Sequence, residues 1–197
     1  MTHYFNNPEN LPSNRKEITF RFLDIYATFI TDKGIFSKKE ADEGSLYLAE
    51  EAIKLKLNGS VLDIGCGYGL IGLLIKLKCP EIILSGVDIN PRAIECAKAS
   101  ALKMNIEAQF DCLDAQTGLV NKYDTIVMNP PIRAGKAIMY HLYQNAYEHL
   151  VSQGSLLIVI RRQQGAATSF TYLQTIFPEV RRLKIKRGYE VIQALKG

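Results

Sequence analysis

The residues best suited to chemistry are an amide and two prolines, Asn129-Pro130-Pro131, which close the apolar stretch TIVM, residues 125–128. Two consecutive prolines cannot donate to a sheet ladder, so Val127 and Met128 are predicted as the last paired residues of a strand, with the amide at its tip. An Asn side-chain oxygen and a proline carbonyl are both acceptors, and the prolines add no competing N–H donor. Two acceptors aimed at one planar amine hold its hydrogens and leave the nitrogen lone pair directed along the remaining line. Such an amine is a poor nucleophile because its lone pair is delocalised. Fixing it in line with an electrophilic methyl group, while the oxygens stabilise positive charge developing on nitrogen, is catalysis by orientation and electrostatics without a strong base.

A second constellation is VLDIGCGYGLIG, residues 61–72. Gly65, Gly67 and Gly69 follow an apolar run and open a helical one, so the backbone can turn sharply and approach a ligand closely. Gly67, Gly69 and Gly72 also spell the dinucleotide fingerprint, but in that motif the first glycine abuts the strand, which here is Gly65. Asp63, two residues earlier, would repel a pyrophosphate and suit a cationic ligand. Asp88 ends the next apolar run, at the distance where an acid accepts hydrogen bonds from ribose hydroxyls, and Asn90-Pro91 then read as helix cap and first-turn proline. Asp114 falls in the loop after a third strand, within reach of an adenine amino group, and by itself reads equally well as a solvated loop acid.

The elements that must position these groups alternate. From Ser60 onward the strands SVLDIG, IILSGVD, EAQFD, DTIVMN and SLLIVIR are separated by the helical segments LIGLLIKLK, PRAIECAKASALKM and GKAIMYHLYQNAYEHL. GAATSFTYLQTIF follows as a last helix, and VRRLKIK and YEVIQAL close the pattern as strands. Short, almost wholly apolar strands between helices predict an α/β, doubly wound, mostly parallel sheet of seven strands with an antiparallel last hairpin, binding its ligand at the carboxyl ends of the strands. Before it, EITFRFLDIYATFITD alternates around Leu23-Asp24 as a β-hairpin, and residues 45–55 show helical spacing. We expect an N-terminal extension over residues 1–44 and the catalytic fold over 45–197, as one folded unit.

A chain of 197 residues with 47% hydrophobic content suffices for one sizeable core. No apolar run reaches the length of a membrane span, and the start MTHYFNNPEN lacks the regions of a signal peptide, which predicts a cytosolic location. Cys66, Cys79, Cys96 and Cys112 stand apart without a CxxC pair, as reduced structural thiols, and His3, His141 and His149 lack metal-ligand spacing. Charge is uneven: eight of the 24 Lys and Arg but only two of the 20 Asp and Glu fall from Arg161 onward. A one-sided basic field suits a phosphate-bearing partner. Arg161 and Arg162 face the ligand edge, and Arg133 and Lys136 lie just beyond the prolines, as candidate substrate contacts. The series Tyr140, Tyr143 and Tyr147 reads as helix packing rather than a stacking platform.

Together DIGCGYG, VDIN, the Asp114 loop and NPPI resemble the class I S-adenosylmethionine-dependent methyltransferases, in the branch whose NPP motif acts on planar amines. Over nearly its whole length, from HYF through GIFSKKEADEGS to NPPIRAGK and RGYEVIQA, the chain is similar to the small-domain methyltransferases related to the guanine-N2 methyltransferases of small-subunit ribosomal RNA. The resemblance implies S-adenosylmethionine as cofactor, S-adenosylhomocysteine as product, no metal, and RNA, as ribosomal RNA or a ribosomal subunit, as partner. It implies that Gly65, Cys66, Gly67 and Gly69 contact the methionine part of the cofactor, with Asp63 near its ammonium. Asp88 would hold the ribose, and Asp114 and Ala115 the adenine, with Ile89 a further cofactor contact and Phe36 of the loop Gly34 to Ser37 packed over the cofactor. Asn129, Pro130 and Pro131 would hold the target amine. One departure is Ile132, where DNA adenine and protein glutamine methyltransferases place Tyr or Phe; an aliphatic residue cannot stack on a flipped base as an aromatic does, which suits the guanine-N2 relatives. Other readings are the same cofactor with a protein glutamine, DNA base or small-molecule acceptor, a non-catalytic RNA-binding module, and an NAD-linked oxidoreductase, which leaves the Asn-Pro-Pro unexplained.

Overall fold

The computed structural model describes residues 14–33 and 41–197. Two strands, β1 (Lys16–Phe22) and β2 (Ile25–Thr31), pair antiparallel across the Leu23-Asp24 turn, with Ala27 and Phe29 fully buried. The helix α1 (Glu43–Lys54) follows, two residues earlier than its apolar spacing suggests, because Asp42 caps it by accepting the Ser45 N–H (2.8 Å).

The alternating region forms β3 (Ser60–Ile64), α2 (Leu70–Lys78), β4 (Ile83–Asp88), α3 (Pro91–Lys103), β5 (Gln109–Cys112), β6 (Tyr123–Met128), α4 (Lys136–Glu148), β7 (Leu150–Arg161), α5 (Ala166–Gln174), β8 (Glu179–Lys186) and β9 (Tyr189–Leu195). The sheet runs in the order β5-β4-β3-β6-β7-β9-β8, with β9 antiparallel to both neighbours and the other neighbouring strands parallel. The expected doubly wound, seven-stranded sheet with its antiparallel close is therefore what the chain forms. Two boundaries differ from expectation. The strand β7 begins at Leu150, not Ser155, because Leu150 pairs with Tyr123 ahead of a register shift, so polar residues that read as a turn extend the ladder. The helix α5 stops at Gln174, and Thr175 to Phe177 continue as turns bonded to Tyr172 and Leu173.

Side chains alternating along the strands feed two cores. Val61, Val127 and Val159 join Leu48, Leu73, Leu74, Phe110 and the hairpin's Phe29 on one face. On the other, Leu62, Ile126, Met128 and Ile158 pack under Tyr143 and Leu173. Each fully buried large side chain contributes about 1.5–3 kcal/mol. The tyrosines of α4 belong to this packing: Tyr140 stacks on Tyr172 at 3.8 Å, and Tyr147 meets Phe177 edge-on at 5.0 Å.

Candidate active site at the carboxyl edge of the sheet

Strand polarity gathers the site residues on one edge. Along it lie the Asp114 loop after β5, Asp88 at the tip of β4, the glycine loop after β3, Asn129 after β6 and Arg161 at the end of β7. Met128 is the last β6 residue paired with Ile64, so the amide stands directly beside the glycine loop.

The loop from Gly65 to Gly69 is built from positive φ values at Gly65 (68°), Gly67 (57°) and Gly69 (86°), a conformation that glycine alone adopts without strain. A Cβ placed at Gly65 or Gly67 would meet open space, whereas at Gly69 it would strike Leu73 at 2.7 Å. The first two glycines thus leave bare backbone facing the cleft, and Gly69 serves the packing of α2. The glycine N-cap of α2 has no side-chain oxygen to offer. Asp63 supplies one from the strand: its Oδ2 accepts the Gly72 N–H at 2.9 Å, an approach possible because Gly72 carries no Cβ. This carboxylate is fully buried beneath the loop, with Oδ1 lacking any hydrogen-bond partner among the described residues. Burial, reinforced by the charge of Asp88, pushes its pKa up to about 7 against the pull of the Gly72 amide.

Asp88 is half-buried and braces the same loop, Oδ2 accepting from Gly67 N–H (2.9 Å) and Oδ1 from Asn90 N–H (2.9 Å). Burial raises its pKa, opposed by these amides. Asn90 caps α3 through Arg92 N–H (3.0 Å), with Pro91 first in the helix. Ile89 is exposed, Cys66 and Ala115 are buried, and Asp114 is exposed, its carboxylate taking the Gln116 N–H. Burial also holds the Cys66 thiol well above its ordinary range, so it is inert. The expected contact at Phe36 lies outside the described residues.

At the tip of β6 the amide group of Asn129 is locked. Its Nδ2 donates to Asp42 Oδ2 (3.1 Å) and to Ser45 Oγ (3.0 Å). A carboxylate only accepts, so the NH2 must face it, and Oδ1 is left without a partner among the described residues. Neither Asp42 nor Ser45 was legible as a partner of Asn129. Pro130 is buried and its carbonyl accepts the Ile132 N–H (2.9 Å) in a tight turn at Pro131 (φ −76°, ψ 78°), leaving its second lone pair. Ile132 is half-buried against the second core, while Arg133 and Lys136 are exposed. Tyr68 lies buried in the glycine loop with its ring edge on Phe29 (5.7 Å) and a hydroxyl without partner among the described residues.

On the other side of Asn129 the edge turns basic. Arg161 donates through Nε to the Tyr189 hydroxyl (2.9 Å), and Arg162 pairs with the buried Glu190 (3.2 Å). His141 and His149 bond only backbone carbonyls of Gln116 and Asn121, and no group of three or more metal-binding side chains exists among the described residues.

A doubly wound sheet with this glycine loop and an Asn-Pro-Pro tip beside it defines the Rossmann-like methyltransferase class. The methyltransferase small domain family matches residues 26–193, and the chain belongs to it. It is 34% identical over 197 residues to the uncharacterised protein YbxB of Bacillus subtilis (strain 168), covering 98% of each chain. It is 38% identical over 130 residues to ribosomal RNA small subunit methyltransferase C of Photobacterium profundum, covering 64% of this chain and 38% of that protein. Among solved structures, the 16S rRNA N2 methyltransferase RsmC of T. thermophilus, in complex with AdoMet and guanosine, superposes with a TM-score of 0.85 at 25% identity over 95% of this chain and 52% of that one. The chain thus spans about half or less of the named rRNA methyltransferases it matches.

Proposed function

We propose that this protein transfers a methyl group from S-adenosylmethionine to the exocyclic N2 amine of a guanine in ribosomal RNA. The observation that carries the reading is the locked Asn129 amide: a rigid acceptor beside the glycine loop, with the Pro130 carbonyl next to it. The residues fit the cofactor. Bare backbone at Gly65 and Gly67 admits a close ligand, and a nearby cation would favour ionisation of Asp63, whose Oδ1 has no hydrogen-bond partner among the described residues. In this reading Asp88 takes the ribose, Asp114 and Ala115 the adenine, and Ile89 is a further cofactor contact. When bound, S-adenosylmethionine supplies an electrophilic methyl group.

The chain's own part is to orient and to stabilise. Asn129 Oδ1 and the free lone pair of Pro130 O take the two amine hydrogens, so the nitrogen lone pair is held toward the glycine-loop side. As nitrogen gains positive charge, the same two oxygens stabilise it, and no strong base is required. The basic side of the edge supports a nucleic acid over a protein acceptor. The relatives that carry a name act, by that name, on small-subunit rRNA, and RsmC does so at N2, which supports the guanine reading.

The test is calorimetric titration with S-adenosylmethionine and, separately, NAD, followed by a labelled-methyl assay on RNA stripped of its modifications. The expected result is binding of the first ligand only and label at guanine N2. Label on protein, or none on RNA, would overturn the acceptor while leaving the cofactor reading standing.

A further inference from the structure

Beyond the tip of β7, away from the glycine loop, a cavity of about 580 Å³ opens among Arg161, Arg162, Gln163, Ala167, Arg187 and Glu190. We propose that it seats a backbone phosphate of the RNA strand that carries the target base; this deepens the RNA reading above and rests on it.

Three guanidinium groups reach the cavity from three places: the end of β7, the turn that follows it, and the β8–β9 turn. Each is oriented by a neighbour. Arg161 bonds the Tyr189 hydroxyl through Nε and lies 4.8 Å from that ring's centroid, so its terminal nitrogens have no acidic partner among the described residues. Arg187 is steered by Glu43 (2.6 Å), and the turn that carries it is tied to β7 by the Arg162 N–H donating to Gly188 O (2.8 Å). Glu190, the one acid in the lining among the described residues, is already shared by Arg162 (3.2 Å) and Arg182 (2.9 Å). Its charge is thus compensated, and with Glu43 set against Arg187 the four arginines around the cavity still exceed the two acids by two charges, Arg161 having no acidic partner among the described residues. Ala167 belongs to the first turn of α5, a helix whose glycine N-cap leaves its leading N–H groups without a side-chain acceptor.

Planar guanidinium forks around an open cavity match phosphate oxygens bidentately. The location agrees. Met128 pairs with Ile158, so Arg161 sits one strand over and two residues beyond Asn129, roughly 8 Å away by sheet geometry. That is within reach of a phosphate flanking a nucleotide whose base stands at Asn129.

The test compares wild type with Arg161→Gln, Arg187→Gln and the Lys variants at both positions, measuring RNA affinity against salt concentration, S-adenosylmethionine affinity, and KM and kcat with RNA. Each Gln variant is expected to weaken RNA binding about 5- to 10-fold, to lower the slope of log affinity against log salt by about 1, and to raise KM with cofactor affinity unchanged. Lys restores the slope but only part of the affinity. If wild type methylates RNA and the Gln variants keep its slope and KM, the phosphate seat is wrong and the acceptor reading survives. If wild type neither binds nor methylates RNA, both fall. Loss of cofactor binding in either Gln variant would also overturn the seat.

Discussion

The two halves of the carboxyl edge are built on opposite charge logic. On the glycine-loop side, carboxylates are spent on backbone: Asp63 takes the Gly72 amide, Asp88 takes Gly67 and Asn90, and no salt bridge involves either acid among the described residues. On the β7–β9 side, arginines are held by a hydroxyl and by a shared buried acid. Asn129 stands between them, neutral, and fixed from behind by Asp42 and Ser45. A sheet whose strand order reverses at β3 and β6 lets one cleft offer a negative wall to a cation and a positive wall to a polyanion, with the reacting position between the two.

The contrast can be broken most severely at its centre. Asn129→Ala should lower kcat about 100- to 1000-fold with cofactor affinity retained, since it removes an acceptor aimed at developing charge. Asp42→Ala, which frees the amide to rotate, should cost about 10-fold by the same assay. A loss of cofactor binding in Asn129→Ala would put that residue on the wrong side of the comparison. On the acidic wall, Asp88→Ala should weaken S-adenosylmethionine binding about 10- to 100-fold by calorimetry, the loss expected when charged hydrogen bonds go and two amides lose their acceptor.

The smallest effect is a matter of pH. Asp63 is raised from 3.8 to about 7, so between those values the folded protein binds a proton that the unfolded chain has released. Stability from this group is complete below about pH 4, falls as pH rises toward 7, and is flat above. Asp88, shifted the same way, adds to the slope. Denaturant titrations of Asp63→Asn across this window should show a shallower fall than wild type. A slope identical to wild type would mean that Asp63 is ionised throughout.

What the sequence made legible was local. Glycines needing positive φ, prolines ending a strand, and an Asn-Pro pair opening a helix all act within a few residues, so the loop, the β6 tip and the α3 cap were readable before any coordinates. Alternation of strands and helices made the doubly wound class legible as well. What stayed hidden depends on distant pairing: Asp42 reads as an ordinary helix cap, and only the packing of α1 over β7 and β9 brings it to Asn129, 87 residues later in sequence. Asp63 was expected to point at the loop, but its bond to the Gly72 N–H, which caps α2 from the strand, was not legible. Glu190 similarly gains meaning only when β9 inserts beside β7 and β8.

That insertion has a consequence for synthesis. The strand β9 completes hydrogen bonding for both β7 and β8, yet it is made 28 residues after Arg161, the end of β7. At ribosomal speeds this is an interval on the order of seconds. Throughout it, the wholly apolar Leu156–Ile160 segment waits with one side of its backbone unpaired, the kind of exposed edge that invites association with other chains. That edge is closed only when residues 189–195 complete the ladder.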